Sequence, residues 1–413
     1  MAVLKAFKAI RPVPEFADKV AALPYDVMTS AEAREIAKDN PFSFLHIDKA
    51  EIDLPEDTYI YDSKVYAKAN ENLNSLINQG VLCKDSKDCL YIYEQTRKGR
   101  IQTGIVGCTS IDDYMNNVIK KHELTRADKE ADRINHVDTL DANTGPIFLA
   151  YRKNDRLKSI IDTFKSNHKP VYDFVSDEVR QRVWVIDEND TVGQIIAVFK
   201  DIPSLYIADG HHRAASAVKV GLKRRDAHKN YTGNEEFNFF LSVLFCAEDL
   251  AIMDYNRVIA DLNSMTESET LQKISENFEV VKIGKTQYRP EKRHTFGMHL
   301  GGEWYKLSAK DGTYDDNDPV LSLDVSILQN NLISPVLGID DPRTDRRIDF
   351  VGGIRGLDEL EKRCRSDMKI AFAMYPTSLD ELIAIADAGK IMPPKSTWFE
   401  PKLLSGLFIH KLS

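Results

Sequence analysis

Long hydrophobic runs are missing from this chain of 413 residues. No window holds eighteen consecutive apolar residues, so no membrane span is expected. The opening MAVLKAFKAIRPVP has too short an apolar stretch for a secretory leader and no small-residue cleavage site. Cysteine is sparse: Cys83, Cys89, Cys108, Cys246 and Cys364 are odd in number, scattered, and form no CxxC pair. That pattern excludes a disulfide framework and a cysteine zinc site, and a reduced, cytoplasmic setting is expected. Positive charge is in deficit, 55 Lys and Arg against 64 Asp and Glu, for a net charge of −9. A protein that lives on nucleic acid would carry the opposite balance, so nucleic acid is not expected as a partner.

Several catalytic signatures are absent as well. There is no GxxxxGK[ST] phosphate loop, no GxGxxG after a strand, and no GxSxG nucleophile elbow. His122, His136, His211 and His212 raise the question of zinc, but His122-Glu123 is followed next by His136, too far for one helical face. The glycine-rich Val351–Gly356 segment has a different spacing and reads as a strand-to-helix turn. No internal repeat, low-complexity segment or flexible linker interrupts the chain, and no residue specifies an oligomeric state.

What is present is an ordinary globular composition, 43% apolar and 29% charged, long enough for two domains. The chain is organised around DIPSLYIADGHHRAASAVKV, residues 201–220. Ser204 to Ala208 reads as a strand, Asp209-Gly210 as a turn, and the alanine-rich continuation as a helix packing through Ala214, Ala215, Ala217 and Val218. A helix start presents unpaired N–H groups and the positive end of the macrodipole. Gly210 allows close backbone approach and Arg213 offers a planar fork, so Gly210, His211, His212 and Arg213 form a candidate phosphate site. Ligands of α/β folds collect outside the carboxyl ends of strands, where this junction falls.

Around it the expected elements alternate. They are strand-like KAFKAIRPV, a turn at Pro24-Tyr25-Asp26, and a helix from Ala31 to Lys38 capped by Thr29 or Ser30. Leu45-His46-Ile47 reads as a strand, Tyr59 to Gln79 as an amphipathic helix, and residues 89–111 as a hairpin around Arg97 to Arg100. A helix from Arg126 to Leu140 is broken by Asn143-Thr144-Gly145-Pro146 before the strand IFLAY. Strands follow in VYDFVSD, RVWVI and the continuous apolar run FNFFLSVLFC. Beyond about 263 a smaller unit is expected, with a capping box at Thr266 and Glu269 and a helix from Leu379 capped at Thr377 or Ser378. The proline-punctuated tail from Met392 is expected to cross the surface or close over the site. The boundaries so read are 1–262 and 263–413 in an α/β chain of mixed α+β character.

A second dense stretch is Lys120-Lys121-His122-Glu123-Leu124-Thr125. Glu123 suits a general base or a Mg²⁺ ligand, and Lys121 suits neutralisation of a transferring phosphoryl group. By composition the same stretch also reads as a solvated helix start, and Asp132-Arg133 as an exposed helical pair.

The segments ALPYDV (22–27), KKHELT (120–125), ANTGPIF (142–148), ADGHHRAASA (208–217), YNRVI (255–259) and MPPKSTWFEPKL (392–403) resemble a widespread bacterial and archaeal family described as a domain of unknown function. The histidine–arginine segment is also similar to that of the ParB/sulfiredoxin superfamily, which includes free-serine kinases. This resemblance implies a ParB/sulfiredoxin-like core and phosphoryl transfer between a donor and a small metabolite, free L-serine and phosphoserine being the leading pair. It implies Mg²⁺, with ATP, ADP or pyrophosphate as donor. Glu123, with Asp209 second, is placed as base and metal ligand, and His212 beside Asp209 in catalysis. Arg11, Asp26, Thr125, Asn143 and Thr144 are the candidates for holding the substrate. A phosphatase acting on small phosphoesters and a ParB-like nucleotide-binding regulator are the competing readings.

Overall fold

The hairpin expected at residues 89–111 stands at the centre of a nine-stranded sheet in the computed structural model, which describes residues 1–413. Its strands, Leu90–Arg97 and Arg100–Ser110, join through Lys98 (φ 48°) and Gly99 (φ 81°). Two successive positive φ angles give a turn whose twist matches that of the flanking strands. Outward on one side follow Val179–Ile186 and Tyr172–Ser176. On the other side Phe239–Cys246, its six central residues buried, runs antiparallel to Arg100–Ser110 and parallel to Ile147–Tyr151. Leu205–Asp209 comes next, antiparallel to Ile147–Tyr151, and Ile119–Lys120 closes that edge. The last two strands are parallel, so the segments leaving them, 121–125 and 210–213, emerge at the same end of the sheet.

Helix His211–Ala227 follows the strand Leu205–Asp209 and buries Ala214, Ala215, Ala217 and Val218 as expected. Helix Ala127–Leu140 packs beside it, and Ser216 Oγ donates to the carbonyl of Glu130 at 3.1 Å, fixing the crossing. A second core in the same unit gathers Phe44, Leu45, Ile47, Ala69, Leu73 and Ile409.

One expectation is corrected here and one is narrowed. Leu45-His46-Ile47 is no strand; Leu45–Asp48 is a helical turn. A three-residue apolar run carries no period, and the turn lets Leu45 and Ile47 bury while Asp48 is carried inward. Of the two courses expected for the tail, it does not cross the surface: Leu403, Leu404, Leu407, Phe408, Ile409 and Leu412 are each 4% exposed or less, and Lys402 reaches Asp209. Pairing distant in sequence decides this, with bridges Ala22 to Ser405 and Ile10 to Ile409, and with strand His410–Lys411 on Ala142–Asn143. Gly406 (φ 87°) makes the approach possible, since a Cβ there would lie 2.7 Å from the Phe44 ring.

The units therefore divide as Met1–Leu250 with Pro401–Ser413, and Ala251–Glu400, in place of 1–262 and 263–413. In the second unit a six-stranded antiparallel sheet runs Phe278–Gly284, Glu303–Ala309, Thr295–Leu300, Ile370–Ala373, Tyr255–Ile259, Ile348–Gly352. Capping boxes start its helices Glu267–Asn277 (Thr266 with Glu269) and Leu379–Asp387 (Ser378 with Glu381). The chain as a whole is mixed α/β, and no helix is long and apolar enough to cross a membrane.

Phe408 packs its ring 5.2 Å from that of Tyr91 and 6.0 Å from that of Tyr93. Phe408→Ala is expected to cost about 3–5 kcal/mol in urea unfolding. A loss under about 1 kcal/mol would show the tail to be dispensable to the core.

Candidate functional site

The strand Leu205–Asp209 shifts register between Ile207 and Asp209, which releases the chain from the sheet at Asp209. Gly210 then takes φ 94°, ψ 31°, and helix His211–Ala227 begins with no side chain capping it. A Cβ at Gly210 would stand 3.2 Å from Arg213 Cζ and Nε, so the glycine serves both the left-handed turn and the guanidinium lying across it. Asp209 Oδ1 accepts from the Gly210 N–H at 2.8 Å, and its Oδ2 accepts from Lys402 Nζ at 3.2 Å. Arg213 Nη2 stands 3.8 Å from the same Oδ2. Burial pushes the Asp209 carboxyl up, but Lys402, Arg213 and the Gly210 N–H together hold it well below the usual carboxylate range. Asp209 is a fixed anion and a weak proton acceptor.

Arg213 donates through Nη1 to the carbonyl of Pro146, and its Nε is buried with no hydrogen-bond partner. Burial disfavours its charge, yet Asp26, Asp209, Tyr25 and Asp48 outweigh that and keep it cationic. A charged fork with an unused donor, beside an uncapped helix start, suits an anion.

Behind this surface lie two imidazoles. The rings of His122 and His211 meet edge to face at 4.4 Å, and both are buried. Both His122 nitrogens and His211 Nε2 lack a hydrogen-bond partner, while His211 Nδ1 stands 3.6 Å from Glu123 Oε2. Burial pulls His122 down to about 4, against the pull of Asp209, and burial with His122 as neighbour pulls His211 well below its usual value. His212 turns elsewhere: its Nε2 accepts from the backbone N–H of Arg126 at 3.0 Å, at the entry to helix Ala127–Leu140. Lys121 sits over the Tyr114 ring at 4.1 Å, and burial lowers its pKa.

Next to Arg213 opens a small cleft, lined among others by Tyr25, Asp48, Arg133, His136, Thr144 and Arg213. Of the substrate candidates, Thr144 and Asn143 line it. Asn143 Oδ1 already accepts from the Leu241 N–H at 3.3 Å. Asp26 is exposed on the turn Tyr25–Val27, within electrostatic range of Arg213. Thr125 instead donates to Glu130 Oε2 at 2.8 Å. Arg11 is committed to Asp85, at 2.9 Å, and to the Tyr172 hydroxyl, at 3.0 Å, and does not line the cleft.

The Asp132-Arg133 pair, read as exposed, is buried. Arg133 stacks 4.0 Å over the Tyr25 ring and donates to Asp132 Oδ2 at 2.8 Å, while Asp132 Oδ1 accepts from the Tyr66 hydroxyl. His136 is held to the carbonyl of Ile47 at 3.1 Å, and burial with Arg133 nearby brings it down to about 3. The sequence did carry a signal for these two. Arg133, His136, Val137 and Leu140 share one helical face, so polar side chains occupy the stripe that should be apolar.

His122, His136 and His211 are held neutral in the fold, below the value of about 6.5 for an exposed imidazole. Their unfolded forms bind more protons as pH falls, so this contribution is full above about pH 6.5 and is lost progressively below it. Urea midpoints are expected to drop between pH 7 and 5, by about 1.4 kcal/mol per pH unit per group at most. His122→Leu should flatten that slope; an unchanged slope would show that these rings charge without cost.

A variant of a free serine kinase in complex with AMP superposes with a TM-score of 0.37 at 14% identity, covering 72% of this chain and 87% of that one. A conserved hypothetical protein from Pyrococcus furiosus gives 0.37 at 14%, covering 74% and 94%. SbnI from Staphylococcus aureus, truncated at its C-terminus, gives 0.37 at 12%, covering 73% and 85%. No curated protein matches the chain. Residues 4–326, which include the 120–125 and 208–217 segments, match the model of a protein family of unknown function, DUF1015, and the chain belongs to that family.

Proposed function

We propose that the protein is a phosphotransferase acting on a small metabolite, with free L-serine as the acceptor and a nucleotide or pyrophosphate as the donor. The observation that carries this reading is the uncapped start of helix His211–Ala227, where the Arg213 guanidinium lies across Gly210 with an unused N–H. Phosphoryl transfer needs charge neutralisation and positioning more than covalent help, and an arginine beside bare helical amides supplies both. The ParB/sulfiredoxin-like reading of the core belongs to the same proposal.

In this scheme Gly210 and Arg213 hold the donor phosphates. The bond from the donor's bridging oxygen to the terminal phosphorus breaks as the serine hydroxyl oxygen bonds to that phosphorus. The hydroxyl proton passes to Glu123, in preference to Asp209, whose two oxygens already accept from the Gly210 N–H and Lys402. For the same reason Asp209 fits poorly as a direct Mg²⁺ ligand, and no group of three or more His, Cys, Asp or Glu side chains is arranged to hold a metal. Mg²⁺ commonly uses one carboxylate and the phosphates themselves, so Glu123 is the residue assigned to it. His211, neutral and 3.6 Å from Glu123, orients that carboxylate. His212 positions the entry to helix Ala127–Leu140.

The test offers ATP, ADP and pyrophosphate with L-serine and Mg²⁺, and detects phosphoserine by mass. Arg213→Ala is expected to lower the rate at least 100-fold with an unchanged circular dichroism spectrum, and Glu123→Gln to act on kcat more than on KM. Phosphate released to water in place of phosphoserine would favour the hydrolase reading. No turnover with any donor would sink both.

A further inference from the structure

Asp48 lies in the cleft beside Arg213 and is 5% exposed. Its Oδ1 accepts from Thr144 Oγ1 at 2.9 Å, and its Oδ2 is buried with no hydrogen-bond partner. A buried carboxylate oxygen left without a donor is costly, and where it lines a cleft it invites a cationic donor from a ligand. Arg133 lines the same cleft. Its Nε and Nη2 are held by Asp132, and its plane is stacked on the Tyr25 ring. One cleft therefore presents an acceptor lacking a donor and, within electrostatic range of it, a buried guanidinium.

We infer that this cleft receives the head group of an α-amino acid, with Asp48 taking the ammonium and Arg133 the carboxylate. The two charges of such a head group are joined through one carbon, so a single receptor must offer both signs close together, as Asp48 and Arg133 do. Thr144 is the positioning residue: its hydroxyl occupies Oδ1 and leaves Oδ2 for the ligand. Tyr25 fixes the plane of Arg133 from the other side. His136 lines the cleft as a neutral ring, so it adds no competing cation. The assignment replaces Arg11 and Asp26 as head-group receptors, and it rests on the phosphotransferase reading only for the identity of the acceptor.

Calorimetric titration of the full chain, with and without ADP or pyrophosphate, tests it through four probes: L-serine, L-alanine, glycerate, which lacks the ammonium, and ethanolamine, which lacks the carboxylate. L-Serine and L-alanine are expected to bind, and the other two at least tenfold more weakly. Asp48→Asn should weaken L-serine at least tenfold and leave glycerate unchanged; Thr144→Val should weaken L-serine by a smaller factor. Glycerate binding as tightly as L-serine, or failure of both amino acids to bind, overturns the inference, and the wild-type panel decides this even where a variant fails to fold. Selective amino-acid binding without any phosphoserine would support the head-group assignment while sinking the kinase reading. Equal phosphorylation of serine and glycerate would do the reverse.

Discussion

A guanidinium held out of water beside a glycine is the constraint on which this site depends. Removing such a charge from solvent costs several kcal/mol unless neighbours restore what water supplied. Around Arg213 that restoration comes from Asp209, Asp26, Asp48 and Tyr25, and from the Pro146 carbonyl. The positive end of helix His211–Ala227 adds to the same field. Asp209 is the anion that Arg213 and Lys402 share. Gly210 lets the arrangement close, because any side chain at that position would meet the guanidinium.

Topology supplies the rest of the site. Strands Ile119–Lys120 and Leu205–Asp209 lie side by side and parallel, so segments more than eighty residues apart leave the sheet at one end. That is why His122 and His211 touch and why Glu123 reaches the helix start. Burial of the two rings keeps them neutral, and a neutral pair adds no charge repulsion behind Arg213. The C-terminal tail completes the arrangement from a third direction, bringing Lys402 to Asp209 and Ser405 to the cleft.

The pattern of hits and misses follows the range over which each signal acts. Capping boxes at Thr29, Thr266 and Ser378, the Lys98-Gly99 turn and the alanine face of the helix after Gly210 are local, and they stand where the chain's own chemistry puts them. The turn at Leu45–Asp48 and the buried tail are set by partners far along the chain, which no window of neighbouring residues contains. Among the candidate substrate residues the same division holds. Thr144, four residues beyond the end of helix Ala127–Leu140, lines the cleft, whereas Arg11 is captured by Asp85 and Tyr172.

The sequence alone determined that a strand would end at Asp209, that glycine would turn the chain there, and that a helix start carrying Arg213 would follow. Those features need only φ preference, apolar periodicity and unpaired amides, all of which reside within a few residues. Which carboxylate faces that arginine, which imidazoles lose their water, and which arginine lines the cleft with Asp48 were decided by tertiary structure. Desolvation and charge pairing act through space, and their partners here come from residues 25, 48, 122, 133 and 402.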